Sequence, residues 1–297
     1  MKKDLGISRC GLACCLCSEN DNCAGCDSDP AKHSWCKNFN CSIDKKIEGC
    51  YLCDNTKCRE GMFKDKIKPL AFCEFIRRYG KDELLNCLER NENIGIVYHR
   101  KGIIGDYDDF NNIEDLISFI SSGKRVIIET ERLVLRQLNN DDFNNLKSIL
   151  SDNETMKYYS KPYDDNGVLK WLDWNYGCYK KRGFGLWAVE LKDGTFIGDT
   201  GITLQNIDGK EVFEIGYHFN KKYWGNGYAI EAAKACKEWF FKNSEYDEVY
   251  SYMNKDNDKS RNVAIRNGMS LVKEYEDHGQ KLVVYRIRKE DFNKVTQ

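Results

Sequence analysis

The chain has 297 residues, 41% of them apolar and 31% charged, with a formal net charge of −1 and 15 cysteines. That length allows two domains, the composition excludes a disordered or fibrous chain, and the balanced charge removes the basic field expected of a nucleic-acid binder. No apolar run approaches the roughly 20 residues that cross a bilayer, and the opening MKKDLGISRCG lacks the apolar stretch of a secretory leader, so a cytoplasmic protein with no membrane partner is expected.

Eleven of the 15 cysteines fall in the first 58 residues. Cys14 with Cys17, Cys23 with Cys26 and Cys50 with Cys53 are C-x-x-C pairs, and Cys10, Cys36, Cys41 and Cys58 lie beside them. In a reducing compartment such pairs point to a metal rather than to disulfides, because two sulfurs at that spacing reach one tetrahedral ion and two pairs close a site. These ten cysteines are enough for two structural zinc ions. A segment so poor in large aliphatic side chains needs metal binding to fold. An iron–sulfur cluster is the alternative occupant, and redox-active thiols are a third reading. Cys10, Cys14 and Cys17 also match the spacing of radical-SAM enzymes, but the residues that follow cannot supply that barrel's repeated strands and helices. The order CGLACCLC, CAGC, CYLC and then GDYDDF resembles a Cys-rich bacterial and archaeal domain of unknown function. The resemblance implies no activity but does imply that residues 1–122 form one unit, helices included; with the cysteine pairs, a small α+β metal-binding domain with a helical C-terminal part is expected.

Leu70, Phe72, Cys73, Phe75 and Ile76, then Leu84, Leu85 and Leu88, recur at helical spacing, as do Ile113, Leu116, Ile117 and Ile120 after an Asn112 cap. Two amphipathic helices are expected, with a hairpin in GIVYHRKGIIGDYDDF between them. Ser121, Ser122 and Gly123 mark a join, and a second domain runs over 127–297. There RLVLRQL alternates as a strand, Asn140 caps a helix through Leu150, and a helix over 166–181 presents Leu169, Leu172 and Tyr176 on one face. Asp193-Gly194 and Asp208-Gly209 turn three antiparallel strands between about 184 and 220. A helix begins near Tyr228 with Ala229, Ala232, Ala233, Cys236, Trp239 and Phe240 on its packed face. EVYSYMN is a strand, SRNVAIRNG a helix ending at Gly268, and KLVVYRI the last strand.

The stretch KKYWGNGYAIEAAK sets glycines between a strand and a helix, where unpaired N–H groups at the positive end of the helix dipole can seat an anion. A Rossmann fingerprint fails because Ile230 occupies the third glycine position, and a Walker loop fails for want of Gly-Lys-Ser/Thr. A plain turn without ligand is the remaining reading of the glycines alone. In context, EIGYHFNKKYWGNGYAIEAA resembles the acetyl-CoA loop of the GNAT acetyltransferases, Gln/Arg-x-x-Gly-x-Gly/Ala, with Lys222 at the Gln/Arg position and then Gly225 and Gly227. The likeness spans nearly all of 129–297 through ETERLVLRQL, FGLWAVEL, FIGDTGITL, NKDNDKSRNVAIRNGM and HGQKLVVYRI, and it looks most like the branch containing the ribosomal-protein N-terminal acetyltransferases.

The resemblance implies a GNAT fold, an α+β arrangement with a mixed, mostly antiparallel, splayed sheet flanked by helices, and acetyl-CoA as donor. It implies a pyrophosphate held by amides of Tyr223, Trp224, Gly225, Asn226, Gly227 and Tyr228, with Lys222 and Ala229 also in the acetyl-CoA-binding stretch; the amides of His218, Phe219 and Asn220 are expected to hold the pantetheine and thioester oxygen. Asn257 and Ser260 match the family's Asn-x-x-Ser/Ala, where the Asn contacts CoA and the Ser caps the next helix.

Acetyl transfer needs a neutral amine, so a base is required, because amines with pKa near 7.7 to 10.4 are mostly protonated at neutral pH. Glu214 is the candidate, on the opposite side of its pleat from Phe213 and Ile215; a solvated or ion-paired strand glutamate is the plain alternative. Many family members carry a tyrosine where this chain has Ala264, and that tyrosine protonates the leaving thiolate. Here the candidates for that role are Ser260, Tyr285 and water, with a thiol acidic enough to leave unaided as the fourth reading. His218 and His278 are read as structural or solvated in the first instance. Trp171, Trp174, Tyr176 and Trp187 are acceptor-pocket candidates that double as core candidates, and Asp106, Asp108 and Asp109 are a cation-attracting group or a solvated loop. The expected function is an acetyl-CoA-dependent N-acetyltransferase acting on a primary amine, either a protein N-terminus or a small molecule. The alternative is a metal-dependent adaptor or sensor whose GNAT domain binds CoA without turnover. A homodimer is left open.

Overall fold

The computed structural model describes residues 1–17, 25–26, 33–99 and 105–295. The chain divides into two compact units, Met1–Lys124 and Arg125–Gln297.

In the first unit the elements are α1 (Lys37–Asp44), α2 (Ile67–Tyr79), α3 (Lys81–Asn93) and α4 (Ile113–Ser122). Phe72, Phe75, Leu84, Leu88, Leu116 and Ile120 form its core. The run predicted as a single helix from Leu70 to Leu88 is two helices. Gly80 stands between them at φ 92°, a conformation that glycine adopts without steric cost and that ends helical hydrogen bonding. Asn112 caps α4 through the Asp115 N–H at 2.9 Å, as its sequence position requires. The expected hairpin is not a strand pair among the described residues, and its residues 100–104 lie outside them. The Asp106 carboxylate accepts the Val97 N–H (2.6 Å) and the Asp106 N–H donates to the Val97 carbonyl (2.8 Å), so a side chain replaces one rung of the ladder. The described part of this unit is therefore helical rather than α+β.

The second unit comprises β1 (Val126–Glu129), β2 (Leu133–Gln137), α5 (Phe143–Leu150), α6 (Asp165–Arg182), β3 (Leu186–Leu191), β4 (Phe196–Ile207), β5 (Lys210–Phe219), α7 (Tyr228–Asn243), β6 (Glu248–Asn254), α8 (Asp258–Arg266), β7 (Ser270–Asp277), β8 (Gln280–Arg288) and α9 (Lys289–Val295). Among the described residues one sheet in the order β1-β2-β3-β4-β5-β6-β8-β7 holds all eight strands. Every neighbouring pair is antiparallel except β5 and β6, which run parallel and touch at one register pair, Glu214 with Tyr250.

Alternation along the strands divides the sheet into two faces. Trp187, Ile202 and Ile215 turn to α7 and meet Ala232, Cys236 and Phe240. Ala188 turns to the opposite face with Leu138, Leu146, Leu150 and Leu172. On that face Arg136 is buried, forked onto Asp142 by two bonds of 2.8 Å and bonded to Glu190 Oε1 at 2.6 and 3.0 Å.

Three local expectations are corrected. The cap before α5 is Asn139, which accepts the Asp141 N–H, and a short 3-10 turn (Asn140–Asp142) precedes the helix. On α6 the buried residues are Val168, Leu172, Asn175 and Cys178, while Leu169 is exposed, because the helix packs on the sheet about one residue out of phase with the Leu169–Leu172–Tyr176 stripe. β7 was not anticipated: a register shift between Leu271 and Lys273 breaks its alternation. No helix among the described residues is long and apolar enough to cross a membrane.

Candidate active site

The glycine loop begins where β5 ends. Residues Lys221–Tyr223 make a 3-10 turn, the Asn220 side chain accepts the Lys222 N–H (3.1 Å), and Trp224 Nε1 donates to the Phe219 carbonyl (2.7 Å). Gly225 and Gly227 both sit at φ 80°, which a Cβ would penalise. The loop carbonyls are engaged from behind: Asn226 Nδ2 donates to those of Tyr223 and Trp224 (3.1 and 3.2 Å), and Arg132 Nη1 to that of Asn226 (3.0 Å). The N–H groups of Gly225, Asn226, Gly227, Tyr228, Ala229 and Ile230 have no acceptor among the described residues, and no side chain caps α7. A row of donors at a helix start, with the carbonyls turned away, is an arrangement that can seat an anion.

Arg132 and Glu231 hold this loop and were not singled out in the sequence. Glu231, in the first turn of α7, accepts from Thr130 Oγ1 (2.6 Å), from the Arg132 N–H (3.0 Å) and from Arg132 Nε (2.6 Å). The Arg132 guanidinium also stacks over the Tyr228 ring at 4.7 Å. Only a partner search across about 100 residues of sequence could have found the pair.

Next to the seat, β5 and β6 part. Ser251 Oγ donates to the Ile215 carbonyl (2.9 Å), and beyond that bond the strands diverge into a cleft of about 1230 Å³. The Asn220 N–H is already bonded to the Ile197 carbonyl, so of the three amides assigned to pantetheine it is turned toward β4. By the alternation of an antiparallel ladder, the N–H of Phe219 points to the open side.

Glu214, Gly216 and His218 share one face of β5 and form the cleft floor. The Glu214 carboxylate lies along the strand over Gly216, where a Cβ would sit 3.7 Å from Oε2. Burial pushes its pKa up to about 7, against the pull of the His218 imidazole, the Tyr252 N–H and the Thr203 hydroxyl. His218 Nδ1 is 2.8 Å from Asp199 Oδ1, and its Nε2 is 2.6 Å from the Tyr159 hydroxyl. Trp171 Nε1 donates to Asp199 Oδ2 at 2.9 Å, and its ring meets His218 edge-on at 5.2 Å.

The remaining predicted residues are dispersed. Asn257, and not Ser260 as expected, caps α8: its side chain accepts the Ser260 N–H (3.2 Å) because Ser260 already lies in the first turn, and both line the cleft. The Ser260 carbonyl accepts from Tyr217 OH (3.0 Å), which ties β5 to the first turn of α8. Ala264 is buried in the core, as is Tyr285, whose side chain belongs to the cluster facing α7 and not to the cleft lining. Trp171 and Trp174 line the cleft, with centroids 5.6 Å apart. Trp187 is buried against Trp239, and Tyr176 OH donates to Asn140 Oδ1. His278 is exposed at the β7–β8 turn with φ 46°.

In the first unit, Cys23 lies outside the described residues. Among the described residues no three His, Cys, Asp or Glu side chains are grouped so as to hold a metal ion. Cys10 and Cys50 are buried, and burial raises both thiols, Cys50 to about 11. Asp106 and Asp108 are tied into the local turn, Asp108 by a 2.7 Å bond from Lys68 Nζ, rather than displayed as an open acidic group.

An anion seat at the start of a helix, beside a gap between parallel strands with a carboxylate on its floor, fits an acyltransferase that uses a coenzyme thioester. Residues 132–270 match the family model described as the acetyltransferase (GNAT) domain. YkkB of Bacillus subtilis strain 168, an uncharacterised protein, is 35% identical over 158 residues, which are 52% of this chain and 92% of YkkB. The uncharacterised N-acetyltransferase YnaD of the same strain is 28% identical over 144 residues, covering 48% of this chain and 81% of YnaD. An acetyltransferase structure from Agrobacterium tumefaciens strain C58 is 28% identical and covers 54% of this chain and 92% of its own, with a TM-score of 0.48. The chain belongs to the GNAT acetyltransferase family and is an acyltransferase with acetyl-CoA as its cosubstrate.

Proposed function

We propose that the second unit transfers acetyl from acetyl-CoA to a primary amine of low basicity, a protein N-terminus or a small amine with a comparable pKa. The observation that carries this reading is Glu214, a carboxyl raised to about 7 on the floor of the cleft beside the anion seat. A base of that strength takes a proton from an α-ammonium of pKa ~7.7 at a cost of about 1 kcal/mol, but from a lysine ammonium of pKa ~10.4 at about 5 kcal/mol. Aromatic walls from Tyr159, Trp171 and Trp174 suit a flat or apolar group beside that amine. In this reading Ser260 and Tyr217, which line the cleft, are the candidates to protonate the leaving thiol. The test is thiol release from acetyl-CoA over a panel of peptides with free or blocked N-termini, lysine side-chain analogues and small amines. Turnover confined to blocked peptides bearing lysine would overturn the α-amine preference, and tight CoA binding without turnover on any amine would favour an adaptor role.

For the first unit the zinc expectation keeps a narrower support. Two of its C-x-x-C pairs close 3-10 turns, Cys17 N–H to Cys14 carbonyl (3.2 Å) and Cys53 N–H to Cys50 carbonyl (3.1 Å). The grouping of ligands that an ion requires is not present among the described residues. Elemental analysis of full-length protein decides it: zinc at one or two equivalents supports the reading, and folded protein without metal removes it. A cytoplasmic location fits the free thiols of Cys50, Cys53, Cys73 and Cys87.

A further inference from the structure

Acetylating an ammonium removes two protons from its nitrogen, one before attack and one from the tetrahedral adduct. Glu214 can hold one at a time, so the proton count of the reaction leaves a place for a second acceptor. The hydrogen bonds around His218 give it a direction. Asp199 is fully buried and both its oxygens accept, Oδ2 from Trp171 Nε1, which can only donate, and Oδ1 from His218 Nδ1. Nδ1 therefore carries the imidazole proton, and Nε2 presents its lone pair to the Tyr159 hydroxyl at 2.6 Å. With its own proton committed to Nε2, the Tyr159 oxygen offers lone pairs to the cleft that it lines. Asp199 and His218 are register partners on β4 and β5, so the pair is built into the sheet.

We propose that Tyr159, His218 and Asp199 form a second proton-accepting relay in this site, acting beside Glu214; this rests on the amine reading given above. The substrate N–H bond breaks as a Tyr159 O–H bond forms, the original phenolic proton moves to His218 Nε2, and the imidazolium is held by the Asp199 carboxylate. The products of the step are a neutral nitrogen and an imidazolium, with charge and protons conserved; the proton then leaves to solvent or to the thiolate. The titratable groups facing the relay are Glu214 from the strand of His218, Tyr163 from the segment between α5 and α6, Tyr179 from α6 and Tyr252 from β6.

The experiment is the pH profile of kcat/KM with the best amine of the panel. Two bases that must both be free give an acidic limb of slope two in the unaltered protein. His218→Asn keeps a donor toward Asp199 and deletes the Nε2 acceptor. It should lower kcat/KM roughly 100-fold and reduce that slope to one, and Tyr159→Phe should do the same. A slope of one in the unaltered enzyme, or an even loss at every pH with slope two retained in His218→Asn, overturns the relay while leaving the amine reading intact. No turnover on any amine overturns both. Independently of activity, the imidazole 15N signals of His218, assigned with the His218→Asn variant, should report the Nδ1–H tautomer in the substrate-free protein. The Nε2–H tautomer there would overturn the proposal.

Discussion

Glu214 of β5 pairs with Tyr250 of β6, and the two parallel strands separate immediately past that pair. The carboxylate thus stands at the apex of the opening, where the strands still shield it from water but no longer fill the space in front of it. That placement explains both its raised pKa and its access to a ligand in the cleft.

Replacement of this carboxylate should affect catalysis and leave the nucleotide end alone. Glu214→Gln is expected to cut kcat/KM for amine acetylation by 100-fold or more while CoA affinity, measured by calorimetry, changes less than threefold.

The same substitution has a signed effect on stability. Glu214 is raised from 4.5 to about 7 in the folded protein, so the folded state binds the extra proton and stability declines as pH rises between those values. At pH 8 the charged carboxylate costs up to roughly 3 kcal/mol, and at pH 4 nothing. Glu214→Gln should therefore raise the melting temperature at pH 8 and leave it nearly unchanged at pH 4, which scans at both pH values would check.

The anion seat is tested at Gly227, whose φ of 80° disfavours any Cβ. Gly227→Ala is expected to lower stability by about 1 kcal/mol and weaken CoA binding about tenfold or more, since the strained turn and the added methyl both disturb the donors. Calorimetry with CoA measures it. Unaltered affinity would place the diphosphate elsewhere.

Arg136 neutralises two carboxylates, Asp142 and Glu190, in the buried face between β2, β3 and the turn before α5. Arg136→Ala leaves both anions without their partner and should lose 3–5 kcal/mol in denaturant titration, on the order found when one member of a buried ion pair is removed.

Thiol reactivity should follow local environment. Cys53 is lowered by the Asn55 N–H and by Lys45 Nζ, 3.2 Å away, whereas burial raises Cys50 to about 11 and Cys236 to about 12. In native protein at pH 7.5, iodoacetamide should label Cys53 before Cys50 or Cys236, as read by peptide mass spectrometry.

Much of the second unit was legible from local rules. The Asp-Gly turns, the alternation in RLVLRQL and KLVVYRI, and the glycines before Tyr228 each act through the conformations of a few neighbouring residues, so they place β2 to β5, α7 and the anion seat without reference to the rest of the chain. Even Glu214 was accessible, because the pleat puts it opposite Phe213 and Ile215 whatever else packs there. Local rules failed where one residue decided a boundary or a phase, as at Gly80 between α2 and α3, at the bulge in β7 and on the face of α6.

Pairing, phase and depth belong to the tertiary structure. His218 meets Asp199 because β4 and β5 adopt one register, Trp171 reaches Asp199 because α6 lies on that face, and Arg132 finds Glu231 because the turn after β1 abuts α7. Tyr285 was a candidate acid on its residue type alone, and packing against the α7 side sent it into the core. Such contacts join residues 19 to 99 positions apart. No propensity or spacing rule encodes their distance, since it is set by the sum of all the packing between them, and the environment that moves Glu214 to about 7 exists only once that packing excludes water.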